Sequence, residues 1–161
     1  GKAELVQKIA KSPMMRTLRV GKMTIAALSA VMRYYLNDDD LLTKVPIFEM
    51  LNRKKEDLQK FAEKLVTELE ICNIKSKIIR SEAQCGGGTL PQLRIDSLAV
   101  KIVHNGNRNF AKKLHKKLLE LDKPILGVLR EGDLLFDVLT IKEHEIKYIA
   151  ESLKLIMKQN K

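Results

Sequence analysis

The hydrophobic period of this chain changes at Asn73, and no other feature limits its possible folds as much. Before that point apolar residues recur at helical spacing. Over residues 54–72, Leu58, Phe61, Ala62, Leu65, Leu69 and Cys72 fall on one face of a 3.6-residue helix. After it, residues 76–80 and 95–103 carry β-branched side chains in rough alternation, as half-buried strands do. A chain with helices first and strands afterwards belongs to the α+β class.

The first part reads as a series of amphipathic helices. Residues 3–11 place Leu5, Val6 and Ile9 on one face, and Ser12-Pro13 ends that helix, because the residue before proline is pushed out of the α region. Residues 22–36 place Ile25, Leu28, Met32 and Tyr35 on another face, and Ala26, Ala27 and Ala30 allow close approach of a second element. Asn37 and the three aspartates after it are expected to end this helix as a polar turn. Residues 46–51 read as a short helical turn with proline at its first position.

The second part continues with a turn at Asn105-Gly106, a cap at Asn107 and a helix over 108–121. Strands over 124–130 and 134–139 flank Glu131-Gly132-Asp133, a hairpin signal. Thr140 with Glu143 is expected as the capping pair of a last helix, whose stripe is Ile146, Ile149, Ala150, Leu153, Ile156 and Met157. The order β-β-α-β-β-α can close as a small antiparallel-sheet domain over 73–161, with both helices on one face. Residues 1–72 then form a helical segment that includes a long connecting helix. Its amphipathic faces have too few partners within the chain.

Composition narrows the function. With 30 Lys and Arg against 20 Asp and Glu, the net charge of +10 favours an acidic or phosphate-bearing partner. Aromatic residues make up 4% and Trp is absent, so the core must be aliphatic and base stacking is poorly supplied. Cys72 and Cys85 are too few for a disulfide framework, and His104, His115 and His144 are scattered, so no metal site is expected. Cys72 lies on the helical stripe and reads as a small buried hydrophobe. No apolar run is long enough to span a membrane and no signal peptide is present, so a cytoplasmic protein is expected.

Three groups of residues carry candidate chemistry. Arg16 and Arg19 lie just ahead of the helix at residue 22, where the helix dipole disfavours cations unless an anion offsets them. Arginine offers a planar, permanently charged fork suited to phosphate. Gly86, Gly87 and Gly88 can form an anion nest or a plain hinge between strands. Lys112, Lys113, Lys116 and Lys117, with Arg108, make a basic helix face that can meet an RNA backbone or simply face water. Asp137 reads as a strand-end carboxylate.

These pieces resemble a known family. Arg16-Thr-Leu-Arg19-Val-Gly-Lys22-Met-Thr24, the Ala-rich helix ending in Tyr35-Leu36, the Gly86-Gly-Gly-Thr-Leu-Pro91 loop, and Pro124-Ile-Leu-Gly followed by Leu134-Leu-Phe-Asp137 are similar, in order and spacing, to bacterial selenocysteine synthase, L-seryl-tRNA(Sec) selenium transferase. The resemblance implies a fold-type I pyridoxal 5'-phosphate enzyme of which this chain is the C-terminal part. The cofactor lysine would then lie upstream of Gly1, and the part alone would be inactive with no catalytic residue of its own. It implies selenophosphate bound at Arg16 and Arg19, seryl-tRNA(Sec) as the second substrate, and a homo-oligomer. The family pattern has arginine where this chain has Val128 and Leu139, and aspartate where it has Gly21. A diverged lyase or transferase of the same superfamily is therefore an alternative, as is a stand-alone basic module that binds RNA or protein.

Overall fold

Leu58, Ala62, Leu65 and Leu69, the stripe that marks the long helix, are all buried on α5 (Lys55–Ile71). The computed structural model describes residues 1–84, 94–104 and 108–158. It divides into two units, Gly1–Asn52 and Arg53–Lys161. The division falls ahead of α5, not after it as the boundary at 72/73 had it. A helix that buries four residues in the core of the sheet unit is a structural layer of that unit.

The sheet unit follows the expected order. After α5 come β1 (Ser76–Gln84), β2 (Arg94–Ile102), α6 (Arg108–Leu119), β3 (Val128–Arg130), β4 (Asp133–Asp137) and α7 (Ile146–Lys158). The four strands lie in the order β1-β2-β4-β3, every neighbouring pair antiparallel. Because β4 sits beside β2, the register places Phe136 opposite Val100, and both point into the core with Ile102, Leu134 and Val138. α5 packs across β1 and β2, α6 across β4 and β3, and α7 against both of those helices. This is the α+β sheet with helices that the period change predicts.

Local signals set the ends of these elements. α5 stops in a Schellman turn. Asn73 adopts φ 58°, its N–H reaches the Glu70 carbonyl at 2.8 Å, and the Ile74 N–H reaches that of Leu69 at 2.9 Å. Ile74 and Leu69 are both buried, so the turn also joins helix and sheet through the core. The β3–β4 hairpin turns at Glu131 and Gly132, both with positive φ (54° and 91°), the conformation a two-residue hairpin of this twist needs. Helix α7 is opened differently from the expectation. The carboxylate of Glu145 accepts the Lys142 N–H at 2.8 Å, while the Thr140 hydroxyl donates to the Asp137 carbonyl. The cap therefore begins two residues later than the Thr140–Glu143 pair.

Gly1–Asn52 contains α1 (Ala3–Lys11), a 3₁₀ turn (Pro13–Arg16), α2 (Lys22–Tyr34), α3 (Asp38–Lys44) and α4 (Pro46–Leu51). None of these elements holds a buried residue. The stripe of Leu5, Val6 and Ile9 and that of Ile25, Leu28 and Met32 all face solvent. The aspartate run is not a terminating turn. Asn37 caps α3 by accepting the Asp39 N–H at 3.0 Å, and Asp38, Asp39 and Asp40 fill its first turn, where the helix dipole favours negative charge. Tyr35 meets Phe48 edge to face at 6.0 Å.

Arg53 and Gly127 give two tests of how the sheet unit is held. One terminal nitrogen of Arg53 donates to the carbonyls of Val138, Leu139 and Ile141 at 2.8–2.9 Å, and its guanidinium lies over the Phe61 ring at 4.9 Å. Arg53→Met strips those partly buried carbonyls of their shared donor and is expected to cost about 2–3 kcal/mol. Urea unfolding checks this as a lower midpoint at unchanged slope. At Gly127, an added Cβ would lie 2.7 Å from Leu134 Cδ1 and 3.2 Å from the Leu135 carbonyl oxygen. Gly127→Ala is expected to cost about 1–3 kcal/mol by the same measurement, as the hairpin shifts off α6.

Candidate functional site

The residues expected to carry function fall in both units, and each group is described where it stands. In Gly1–Asn52, Arg16 ends the 3₁₀ turn and Arg19 lies on the extended connection to α2. Proline at the first position starts that turn, and the Thr17 hydroxyl closes it by donating to the Met14 carbonyl at 2.7 Å. Both arginines are exposed, and neither makes an ion pair or side-chain hydrogen bond with the described residues. α2 begins after Gly21 with no side-chain cap and no acidic residue in its first turn. Its free N–H groups and the two guanidinium groups therefore lie close in sequence without a carboxylate between them, a setting that suits an anion.

In the sheet unit, α6 buries Ala111, Leu114 and Leu118 and turns Lys112, Lys113 and Lys116 to solvent, with Lys117 half-buried. Lys116 reaches Glu120 at 3.7 Å. A helix with an apolar stripe on one side and lysines on the other is what the sequence pattern predicts. Gly86, Gly87, Gly88, Cys85 and the turn at 105–107 lie outside the described residues.

The hairpin carries a charged cluster that the linear sequence does not announce. Lys101 on β2 pairs with Asp133 at the start of β4, and His104 Nε2 lies 3.3 Å from the same carboxylate and 3.2 Å from the Gly132 carbonyl. His115 Nε2 reaches the Gly127 carbonyl at 3.0 Å. The hydrogen bond from Lys101, together with the positive charge beside it, holds the Asp133 carboxyl below its ordinary value. Lys64 does the same to Glu143 from α5. Asp137 is more than a strand-end carboxylate. It accepts the Ser81 hydroxyl at 2.7 Å, the Ser97 hydroxyl at 2.6 Å and the Leu139 N–H at 3.0 Å, so it links three strands. Arg53 was hidden in the basic run ahead of α5, and only its partners in the fold set it apart.

Two positions bear on the family pattern. Val128 is half exposed on β3 opposite Leu135, and Leu139 is buried at 5% exposure within the core. Cys72 caps α5 and is half-buried against the core. Among the described residues no group of His, Cys, Asp and Glu can hold a metal ion. No described helix is long and apolar enough to cross a membrane.

A pyridoxal cofactor needs a lysine amine kept free and desolvated in a pocket. Lys101, the side chain at 23% exposure, is already committed to Asp133. Lys55, on the wall of a cavity of about 410 Å³ beside β1 and β2, is exposed and faces Asp96 at 3.5 Å. Neither of these lysines of the sheet unit fits the cofactor, and no step through it is assigned to them.

Fold and site together define a basic α+β protein with two sets of solvent-facing cations, arginines ahead of α2 and lysines along α6. The family model for L-seryl-tRNA selenium transferase (SelA) matches residues 1–142. The chain belongs to that family. Three similar proteins carry the name L-seryl-tRNA(Sec) selenium transferase. That of Carboxydothermus hydrogenoformans is 35% identical over 96% of this chain and 33% of its own length. The Aquifex aeolicus protein is 31% identical, and that of Alkaliphilus metalliredigens 29%, each over 98% of this chain and 34% of its own length. The chain thus spans about a third of the length of the curated relatives it matches.

The depressed Asp133 value carries a pH dependence. Its carboxylate is favoured in the fold, so its contribution to stability is full above the ordinary value of 3.8 and is lost as pH falls through the lower folded value. Acid titration of stability is therefore expected to be shallower below pH 3.8 in Asp133→Asn than in the parent, with the difference confined to that range. Equal acid slopes in the two proteins would exclude the cluster as a source of the dependence.

Proposed function

We propose that this chain is the part of an L-seryl-tRNA(Sec) selenium transferase that binds the selenium donor and the tRNA backbone. Arg16 and Arg19 bind the phosphate group of selenophosphate, and the lysine face of α6 meets the phosphates of seryl-tRNA(Sec). The observation that carries this is the pair of exposed guanidinium groups ahead of α2, unpaired among the described residues, in a chain of this family. Charge-assisted bonds from such groups to phosphate are about twice as strong as neutral ones.

Pyridoxal 5'-phosphate, when bound, supplies the electron sink for loss of the seryl hydroxyl and addition of selenium. Lys55 and Lys101 do not suit it, and in this reading its lysine comes from outside the sheet unit and the part alone is inactive. The solvent-facing stripes of α1 and α2 support this, because helices of that kind need a further layer to cover them. That layer is the remainder of the cofactor domain, and the enzyme works in the cytoplasm as a homo-oligomer.

Val128 and Leu139 favour a second reading, because the family pattern has arginine at both and Leu139 here is committed to the core. In that reading the same arginines hold the phosphate of a different donor, and turnover with selenophosphate divides the two.

In the full-length enzyme, Arg16→Ala and Arg19→Ala are each expected to raise KM for selenophosphate by about tenfold or more. The affinity for seryl-tRNA(Sec) should stay as in the parent. Steady-state kinetics with each substrate varied in turn make the comparison, and unchanged donor kinetics in both variants would overturn the assignment.

A further inference from the structure

We infer that the cavity between residues 123–126 and the start of α7 seats one unstacked base of the RNA partner. The inference rests on the RNA-binding reading of α6. The chain has four Phe, three Tyr and three His residues and no Trp, yet Phe136, Tyr148 and His144 line this one cavity of about 420 Å³. That volume is within the range of pockets that take a single small ligand, and a nucleoside is of that size. In a chain so poor in rings, their meeting in one hollow is the place where a base can stack.

The walls are fixed and chemically varied. Phe136 is buried, so Tyr148 and His144 are the rings that a base can reach. The Tyr148 hydroxyl donates to the Lys123 carbonyl at 2.8 Å, which holds the ring against the opposite wall. Leu126 is 78% exposed and lines the cavity, so it supplies an apolar edge against which a base can lie. Glu145 gives one carboxylate oxygen to the Lys142 N–H. Glu145 also lines the cavity, and its other carboxylate oxygen would accept from the exocyclic amine that cytosine, adenine and guanine carry and uracil lacks.

Its position ties it to the basic face. The wall residue Ile125 donates its N–H to the Leu118 carbonyl at the end of α6 at 3.0 Å, and Lys123 stands at the rim. A backbone held along the α6 lysines would therefore pass Lys123 at the mouth of the cavity, and one nucleotide can turn inward there. Stacking and the amine contact add to affinity without adding a phosphate contact, so they leave the salt dependence of binding unchanged.

The test uses the full-length protein and its tRNA. Leu126→Asp and His144→Ala alter exposed side chains outside the core, so both variants should fold. Each is expected to weaken tRNA binding about tenfold while leaving the slope of log affinity against log salt unchanged. Lys113→Glu with Lys117→Glu is expected to reduce that slope. If the slope responds to the lysines but affinity ignores both rim variants, the base site is overturned and the RNA reading stands. If neither set changes binding, the RNA reading itself fails. Titration with cytidine monophosphate should move the Tyr148 ring resonances, and uridine monophosphate should do so more weakly. No movement with either nucleotide, or a rim variant that alters subunit assembly alone, overturns the inference.

Discussion

One guanidinium group holds the sheet unit closed at its start. Arg53 gathers the carbonyls of Val138, Leu139 and Ile141, where the chain leaves β4 for α7, and lies on the Phe61 ring of α5. Those carbonyls sit where no ladder or helix can satisfy them. A fixed, always-charged donor can serve several acceptors at once, and burial beside a ring excludes competing water. With that junction fixed, β4 can continue into a core in which Val138, Leu139 and Ile141 all turn inward. The entry of α5 and the exit of the sheet are thus one joint.

From that joint the remaining polar devices follow across the sheet. Asp137 draws Ser81 and Ser97 to itself and so keeps β1, β2 and β4 in register at one end. Lys101, Asp133 and His104 hold the hairpin at the other end. A one-residue slip of β2 would break both and would also turn Val100 and Ile102 away from the helices. Register is therefore specified twice, by apolar burial and by polar pairs. That leaves α6, packed on β4 and β3, in one place with its lysines outward.

The sheet unit was largely legible in the sequence, and the reasons are physical. Stripes such as Leu58 to Leu69 and Ile146 to Ile156 are long and strictly periodic, and only a helix buries them. Asn73 and Glu131-Gly132 announce the breaks through residues able to take positive φ, or placed where a turn needs it. The end of α2 was harder. Asn37 and its aspartates satisfy the composition of a turn as well as that of a helix start, and only the cap bond at Asp39 separates the two. Thr140 looked like a cap because its partner spacing was right, but the Asp137 carbonyl takes its hydroxyl instead. The arginine pair could be picked out from residue type and position, and the structure leaves both side chains exposed. Arg53, the Asp133 cluster and the cavity beside α7 could not, since each joins residues far apart in the chain.

The alternation along β1 has a consequence for the unit in solution. β1 is one edge of the sheet, nine residues long, and among the described residues no strand pairs with its outer side. An edge of that length invites a strand from another molecule to add to it. Lys77, Arg80 and Glu82 stand exposed along it, and the opposite edge, β3, is only three residues long and ends in Arg130. A strand approaching β1 would have to strip water from those charges, while β3 offers too short a template. The same residues that make the strand look irregular protect the protein from growing its own sheet into a fibre.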